Sequence, residues 1–302
     1  MLTILEKINN YGRMVKFSHS IFALPFAGLS ATLALSVSNL SPREINLKLL
    51  FIAICMVSAR SAAMGFNRYI DHDYDAKNPR TSMREIPAGV LSQKSVLFFI
   101  VMSSLVFVIT SYFINLTCFV LSFPTLFIIL FYSVSKRFTY LCHFLLGMAI
   151  GIAPAGAWIA ILDSLNESTP IFWFLGLMFH ISGFDILYSI QDMEIDRKLG
   201  INSIPAKFGL KKSFFISKIL HILAFGTFIS AGVYVQLGWY YYVFLGITGI
   251  LYIIEHRLVS PDDLTKIPIA FFHINAFISV VLFVGIVIEK WNQILLKIGF
   301  YK

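Results

Sequence analysis

Residues 47–84 read LKLLFIAICMVSARSAAMGFNRYIDHDYDAKNPRTSMR. The first twenty, 47–66, are almost wholly apolar, about the length a helix needs to cross a hydrocarbon layer of roughly 30 Å. With no proline or glycine pair to stop the helix, three aspartates follow, Asp71, Asp73 and Asp75, and then two arginines, Arg80 and Arg84. A greasy helix that ends in a concentrated charged tip is the unit from which the rest of the chain is read.

The same texture recurs throughout. Of 302 residues, 58% are hydrophobic and 13% charged, and the mean hydropathy is +0.79. Soluble domains carry about 25% charged residues, so a soluble fold of this composition cannot cover its own surface. Apolar runs predict nine spans, near 17–36, 47–66, 95–114, 116–134, 140–161, 170–190, 213–235, 238–255 and 267–288. In lipid only helices or closed barrels satisfy the backbone. The expected fold is therefore an all-α polytopic membrane protein, with residues 1–302 forming one bundle. The first run starts near Phe17 and is one of many, so no cleaved signal peptide is expected. Cys55, Cys118 and Cys142 lie in apolar runs without CxxC spacing, and read as small buried hydrophobes.

Lysine and arginine orient the bundle. Those before the first predicted span and after the second, fourth, sixth and eighth number seventeen, against five on the other side. The positive-inside rule places the N-terminus and the heavily charged loops in the cytoplasm and the C-terminus outside. The net charge of +8 is then explained without a nucleic acid, and nothing in the sequence calls for an obligate protein partner.

Two loops on that charged side echo each other. IPAGVLSQKS starts at Ile86 and IPAKFGLKKS at Ile204, with Ile-Pro-Ala and Lys-Ser at equal spacing. Each follows an acidic stretch, which predicts two related halves presenting equivalent loops on one face.

The acidic stretches carry the chemistry. Asn67, Asp71 and Asp75 are spaced by four, and share a helix face if the second span continues past Asn67. Asp192 and Asp196 have the same spacing, with Asp185 seven before Asp192 and Tyr188 between. Asp73 and Glu194 fall off these faces. Like charges at i, i+4 destabilise a helix, and a divalent cation between them removes the conflict. Magnesium favours oxygen ligands and is often held by one or two carboxylates plus substrate phosphates. Arg80, Arg84, Lys136 and Arg137 supply cationic donors for the same anion. A single DxxxD reads as solvated loop charge, but two in corresponding loops with basic neighbours point to a Mg²⁺-bridged diphosphate.

Arg60 lies seven residues before Asn67, roughly 10 Å deeper at 1.5 Å per residue, and Asp185 lies at a matching depth. Intramembrane charges face a partner or a cavity. Either these two pair with each other, or they sit in a pocket under the diphosphate, Arg60 holding an acidic or phenolic acceptor and Asp185 or Tyr188 engaging its hydroxyl. His19, His143, His180 and His273 show no ligand spacing and receive no role. An ion- or proton-coupled transporter is the alternative, with Arg60 and Asp185 in its path, although the acids cluster on one side only. The DGxxAR pattern of CDP-alcohol phosphotransferases is absent.

These residues resemble the UbiA superfamily of intramembrane prenyltransferases. Its NxxxDxxxD motif is matched by Asn67, Asp71 and Asp75. DILYSIQDMEID, from Asp185 to Asp196, matches the second motif, and YxxxKR is matched by Tyr132, Lys136 and Arg137. VKFSHSIFALPFA, from Val15, is similar to the 4-hydroxybenzoate polyprenyltransferase-like branch, members of which serve menaquinone synthesis by the futalosine route. The resemblance covers nearly the whole chain. It implies Mg²⁺-dependent transfer of a polyprenyl group from its diphosphate to an aromatic ring carbon, in a bacterial cytoplasmic membrane and in ubiquinone or menaquinone biosynthesis. Asp71, Asp75, Asp192 and Asp196 would hold the metal, with Asn67 supporting. Arg80, Arg84, Lys136 and Arg137 would bind the diphosphate oxygens, and Asp185 and Tyr188 would act at the reacting centre. Arg60 suits a carboxylate on the acceptor, as in 4-hydroxybenzoate or 1,4-dihydroxy-6-naphthoate.

Overall fold

The computed structural model describes residues 4–16, 22–261 and 263–297. In chain order its helices are α1 (Ile4–Met14), α2 (Leu24–Val37), α3 (Pro42–Lys77), α4 (Gln93–Ile114), α5 (Leu116–Ser135), α6 (Cys142–Leu162), α7 (Thr169–Ser189), α8 (Met193–Leu199), α9 (Ile204–Phe208), α10 (Leu210–Tyr234), α11 (Trp239–Leu258), α12 (Ile267–Ile269), α13 (Asn275–Glu289) and α14 (Trp291–Lys297). Among the described residues no strand forms beyond one isolated bridge between Ser260 and Asp263.

Helix α3 shows how sequence places the acids. Ser41 caps its start in a capping box with Glu44, Pro42 occupies the first turn, and the helix runs 36 residues. At 1.5 Å per residue that is about 54 Å, well beyond a hydrocarbon core of roughly 30 Å. The expected continuation past Asn67 is therefore present, and Asp71 and Asp75 sit in the last two turns, outside the apolar stretch. Helix α7 behaves differently. After Ser189 the chain tightens into a 3₁₀ turn at Ile190–Asp192 before α8 begins. Asp185, Tyr188, Asp192 and Asp196 thus do not lie on one regular α-helical face as the spacing predicted. Gly200, at φ 68°, ends α8 in the left-handed conformation that favours glycine.

Seven helical stretches are long and apolar enough to cross a membrane among the described residues: α3, α4, α5, α6, α7 with α8, α10, and α12 with α13. The two remaining predicted spans meet weaker elements. Helix α2 has 14 residues, and residues 17–21 of the predicted run 17–36 lie outside the described residues. Helix α11 has 20 residues but carries Glu255, His256 and Arg257 near its end. The count of nine rests on these two.

The bundle core lies between α2, α6, α7, α10, α11 and α13, where Phe26, Trp173, Phe228 and Tyr241 are fully buried. Phe26 and Trp173 both stack on Phe228, at 5.7 and 5.9 Å between ring centroids. Helices α6 and α7 approach most intimately through glycines. A Cβ on Gly147 would collide with the Met178 carbonyl and Ser182 Oγ, and one on Gly151 would lie 2.9 Å from the Phe174 carbonyl oxygen. Small residues spaced by four are what close helix approach in lipid requires, and His143 continues that stripe one turn earlier. A second, smaller core under α1 joins Met14 and Val15 to Ile86, Leu91, Val96 and Ile100.

Both Ile-Pro-Ala segments connect an acid-bearing helix to the next long helix, α4 in one half and α10 in the other, and both isoleucines, Ile86 and Ile204, are buried. The three cysteines are free, and are half-buried rather than fully buried.

Candidate active site

The two acidic segments meet across one cleft of about 290 Å³. Asp71 and Asp75 are 1% and 6% exposed. Carboxylates at a helix C-terminus face the negative end of its dipole, and this pair also repels itself. Cations from other parts of the chain offset both penalties. Lys136 Nζ lies 2.6 Å from Asp71 Oδ2 and Arg137 Nη2 3.6 Å from Asp71 Oδ1. Arg84 Nη1 donates to Asp75 Oδ1 at 2.6 Å. Asn67 Nδ2 donates to Asp71 Oδ2 at 3.1 Å, and the buried Arg68 donates to Asn67 Oδ1 at 3.2 Å.

The first segment reaches over to grip the second. Asn78 Nδ2 and Arg80 Nε each donate to Asp192 Oδ1 at 2.9 Å, and Arg80 Nη2 pairs with Asp192 Oδ2. Arg80 Nη1 also donates to Tyr188 Oη at 3.0 Å. Burial works against the Arg80 charge, but the bonds to Asp192 and Tyr188 outweigh it and hold the guanidinium above its ordinary pKa. Tyr188 stacks on Phe271, 3.9 Å between centroids, and Phe271 belongs to a π turn at Ala270–Ile274, a departure from the α-helix often found at functional sites. Asp196 accepts a bond from Ser203 Oγ at 3.1 Å.

Arg60 and Asp185 both line the cleft but do not pair with each other. Arg60 Nη2 donates to the carbonyls of Val15 and Lys16, at 3.3 and 3.0 Å, which ties the end of α1's following turn to the membrane-embedded part of α3. Asp185 Oδ2 lies 2.7 Å from His143 Nδ1, so His143, given no role on spacing, is part of the site. Of the predicted site residues, Asn67, Asp71, Asp75, Arg80, Arg84, Lys136, Asp185, Tyr188, Asp192, Asp196 and Arg60 line the cleft, and Arg137 does not. Arg137 donates to the Ile70 carbonyl at 2.6 Å and lies over the Tyr74 ring, and so braces α3 from behind.

Sequence reasoning missed Lys16, Arg68, His143, Ser203 and Phe271, all of which line the cleft or contact its acids. Lys16 stands at φ 44°. Burial first, and then the charges of Arg68, Arg84 and Arg80, push its pKa down to about 8. A lysine before a span and an arginine one residue after a motif asparagine carry no spacing signal. Ser203 had one, since it precedes the repeated Ile-Pro-Ala.

Adjoining the polar cleft is an apolar chamber of about 460 Å³ lined by α3, α4, α5 and α6 and by Leu24 of α2. Arg60, Met64, Tyr132, Leu146 and Ile150 line both spaces and form their common wall.

No cluster of three or more His, Cys, Asp or Glu closes around one point among the described residues. Asp71 Oδ1 and Asp75 Oδ2 are buried without a hydrogen-bond partner. Two buried carboxylate oxygens that accept no hydrogen bond, beside a cationic rim, fit a hard cation that takes one or two protein carboxylates and completes its shell with water and phosphate oxygen.

The chain is thus an integral membrane bundle whose doubly acidic, cation-rimmed cleft lies against an apolar chamber. Residues 23–281 match the UbiA prenyltransferase family, and the chain belongs to that family; it is a membrane prenyltransferase. It is 27% identical over 241 residues to a 4-hydroxybenzoate octaprenyltransferase of Francisella tularensis subsp. novicida, covering 80% of this chain and 84% of the relative. It is 29% identical over 239 residues to an enzyme of the same name from Vibrio atlanticus, covering 78% and 82%. Among solved structures, the apo form of a UbiA homolog from Aeropyrum pernix superposes with a TM-score of 0.81 at 28% identity, over 90% of this chain and 98% of that one. A UbiA homolog from Archaeoglobus fulgidus bound to DMAPP and Mg²⁺ shares the fold, at a TM-score of 0.64 and 16% identity, over 90% and 99%.

Proposed function

We propose that this protein transfers a polyprenyl group from polyprenyl diphosphate to a ring carbon of a hydroxy-aromatic acid, with Mg²⁺, in a bacterial cytoplasmic membrane, and that residues 1–302 act as one domain. The observation that carries this reading is the grip of Asn78 and Arg80 on Asp192, which draws both acidic segments to one cleft against the apolar chamber. A diphosphate head suits the cleft and an isoprenoid tail the chamber. The named relatives act on 4-hydroxybenzoate, the Archaeoglobus structure holds a prenyl diphosphate with Mg²⁺, and both support this assignment.

In this reading Asp71, Asp75, Asp192 and Asp196 would hold Mg²⁺, which would supply neutralisation of the charge that develops on the leaving diphosphate. Arg80, Arg84 and Lys136, which pair with Asp192, Asp75 and Asp71 in the structure, would supply donors to the diphosphate oxygens. Lys16 and Arg68 add positive potential to the same cleft. Stabilisation by fixed charges in a site that excludes water is the largest lever available for such an ionisation. Arg60 stands at the wall between cleft and chamber, where a carboxylate on the acceptor would meet it. Asp185 accepts the acceptor's hydroxyl proton or hydrogen bond, and Tyr188 borders the reacting carbon. The lysine and arginine asymmetry supports a cytoplasmic N-terminus and cytoplasmic acidic loops.

The test supplies membranes containing the protein with one prenyl diphosphate and either 4-hydroxybenzoate or 1,4-dihydroxy-6-naphthoate, and identifies products by mass spectrometry. A Mg²⁺-dependent C-prenylated acid is expected from one of them. Absence of any prenylated aromatic product from a folded protein that binds the diphosphate would refute the reading.

A further inference from the structure

His143 sits at the start of α6, 3% exposed as a side chain, on the glycine stripe that brings α6 against α7. Its two ring nitrogens have different partners. The backbone N–H of Ile204 donates to Nε2 at 3.2 Å, and Nδ1 lies 2.7 Å from Asp185 Oδ2. A ring nitrogen that accepts an N–H bond carries no proton. The imidazole proton is therefore on Nδ1 and points at Asp185, so the pair is a neutral histidine donating to a carboxylate. Ser182 Oγ, donating to the His143 carbonyl at 3.2 Å, and the missing side chain at Gly147 keep the ring in this register.

We propose that His143 is a positioning residue for the prenyl transfer: it holds Asp185 as an oriented carboxylate facing the cleft, with the tautomer set by Ile204 of the second Ile-Pro-Ala loop. The inference rests on the aromatic-acceptor reading above. One carboxylate oxygen is committed to the imidazole N–H, and the other is left to face the acceptor's hydroxyl. In the transfer the C–O bond of the prenyl diphosphate breaks with its electron pair going to the diphosphate. The ring carbon ortho to the hydroxyl bonds to the allylic carbon as the hydroxyl proton passes to Asp185. The ring then loses its C–H proton to the departing diphosphate while Asp185 returns its own proton to the ring oxygen. Asp185 ends as it began, so His143 need not change protonation. Holding a carboxylate with an imidazole N–H, the imidazole's own tautomer being set by the bond at its other nitrogen, is a recurrent arrangement. The loop contact adds a link between the acid-bearing second loop and the acceptor base.

Three variants separate the roles. In His143→Asn the side-chain Nδ2 stands where the imidazole Nδ1 stood and still donates to Asp185. His143→Gln carries its amide where Nε2 stood and meets Ile204 instead, and His143→Leu makes neither bond. Steady-state kinetics with purified protein should show kcat for the acceptor falling about 10²-fold in His143→Leu and His143→Gln, with KM for prenyl diphosphate unchanged, and most of the rate recovered in His143→Asn. Wild-type kcat in His143→Leu overturns the proposal. So does an equal loss in all three when thermal unfolding shows each to be folded, because a packing role would not distinguish asparagine from glutamine. Independently of turnover, ¹⁵N spectra of histidine-labelled protein, assigned by the resonance missing in His143→Asn, should show a neutral ring protonated on Nδ1; a proton on Nε2 overturns the proposal. A wild-type protein that binds prenyl diphosphate but prenylates no hydroxy-aromatic acid refutes the functional reading and, with it, this role.

Discussion

Replacing Asp192 by asparagine keeps the shape of the side chain and removes its charge. In the structure Asp192 accepts from Asn78 and from two nitrogens of Arg80, and the two side chains of the ion pair are 32% and 16% exposed for Arg80 and Asp192. A well-buried hydrogen bond to a charged group is worth about 1.5–3 kcal/mol. Solvent screening at this exposure discounts it to about 1 kcal/mol, so unfolding in detergent should move by only a few degrees. The functional loss is expected to be much larger. Removing one preorganised electrostatic contact to a developing charge typically costs about 10²–10³ in rate, and Asp192, which anchors Arg80, would on the proposed reading also be a metal ligand. Asp192→Asn should therefore fold normally, lose prenyl transfer by at least that factor, and need more Mg²⁺ for what activity remains. Glu194→Gln is the control. Glu194 lies two residues away, 69% exposed, and pairs with Arg197, so the same change of charge there should leave the rate alone. The assay follows radiolabelled prenyl diphosphate into aromatic product across a Mg²⁺ titration, beside a thermal unfolding curve. A wild-type rate and Mg²⁺ dependence in Asp192→Asn would refute the assignment. An equal loss in Glu194→Gln would show that general loop charge, and not a ligand, is being measured.

Arg60→Ala should raise KM for the acceptor or lower its kcat while leaving prenyl diphosphate binding intact; unchanged acceptor kinetics would remove Arg60 from that role. Lys16, pushed down to about 8 by burial and by Arg68, Arg84 and Arg80, is a cation below that pH and neutral above it. Affinity for prenyl diphosphate should accordingly fall as pH rises through about 8, and Lys16→Arg should flatten the fall, as read by a binding titration across pH. Gly147→Ala places a methyl group against the Met178 carbonyl and Ser182; overpacking of this kind costs about 1–3 kcal/mol, so thermal stability should drop, and a melting temperature equal to the wild type's would show that α6 and α7 have room to part.

The fold was legible wherever lipid imposes its own rule. Runs of apolar residues at spanning length, and cations collected on alternate loops, located the long helices, because the backbone has no other way to cross hydrocarbon. Helix α2 was harder to read, since its run of apolar residues predicted a longer element than the 14 residues described. The acids were legible because i, i+4 repulsion at a helix end needs an explanation, and two such ends demand a common one. What the sequence hid depends on three-dimensional partners. His143 meets Asp185 across 42 positions and Ile204 across 61, and no periodicity links them. Arg137, adjacent to Lys136 in sequence, differs from it by a turn of the chain that points its guanidinium at Ile70 instead of into the cleft. The pairing of Arg60 with Asp185 was reasonable from depth alone, but depth does not give azimuth: Arg60 turns to the carbonyls after α1 and Asp185 turns to α6.

The apolar chamber has one more implication. Leu24 and Val57 belong to its wall and are also 48% and 46% exposed, so the same residues that line the compartment also meet the surrounding acyl chains. If an isoprenoid is held by its head in the cleft, its tail would run along residues that the lipid also touches, so isoprenoids of different reach would be held alike at the head. On the proposed reading, the length found on the product would record which diphosphate the cell supplies, and the product would leave sideways into the phase that surrounds the bundle.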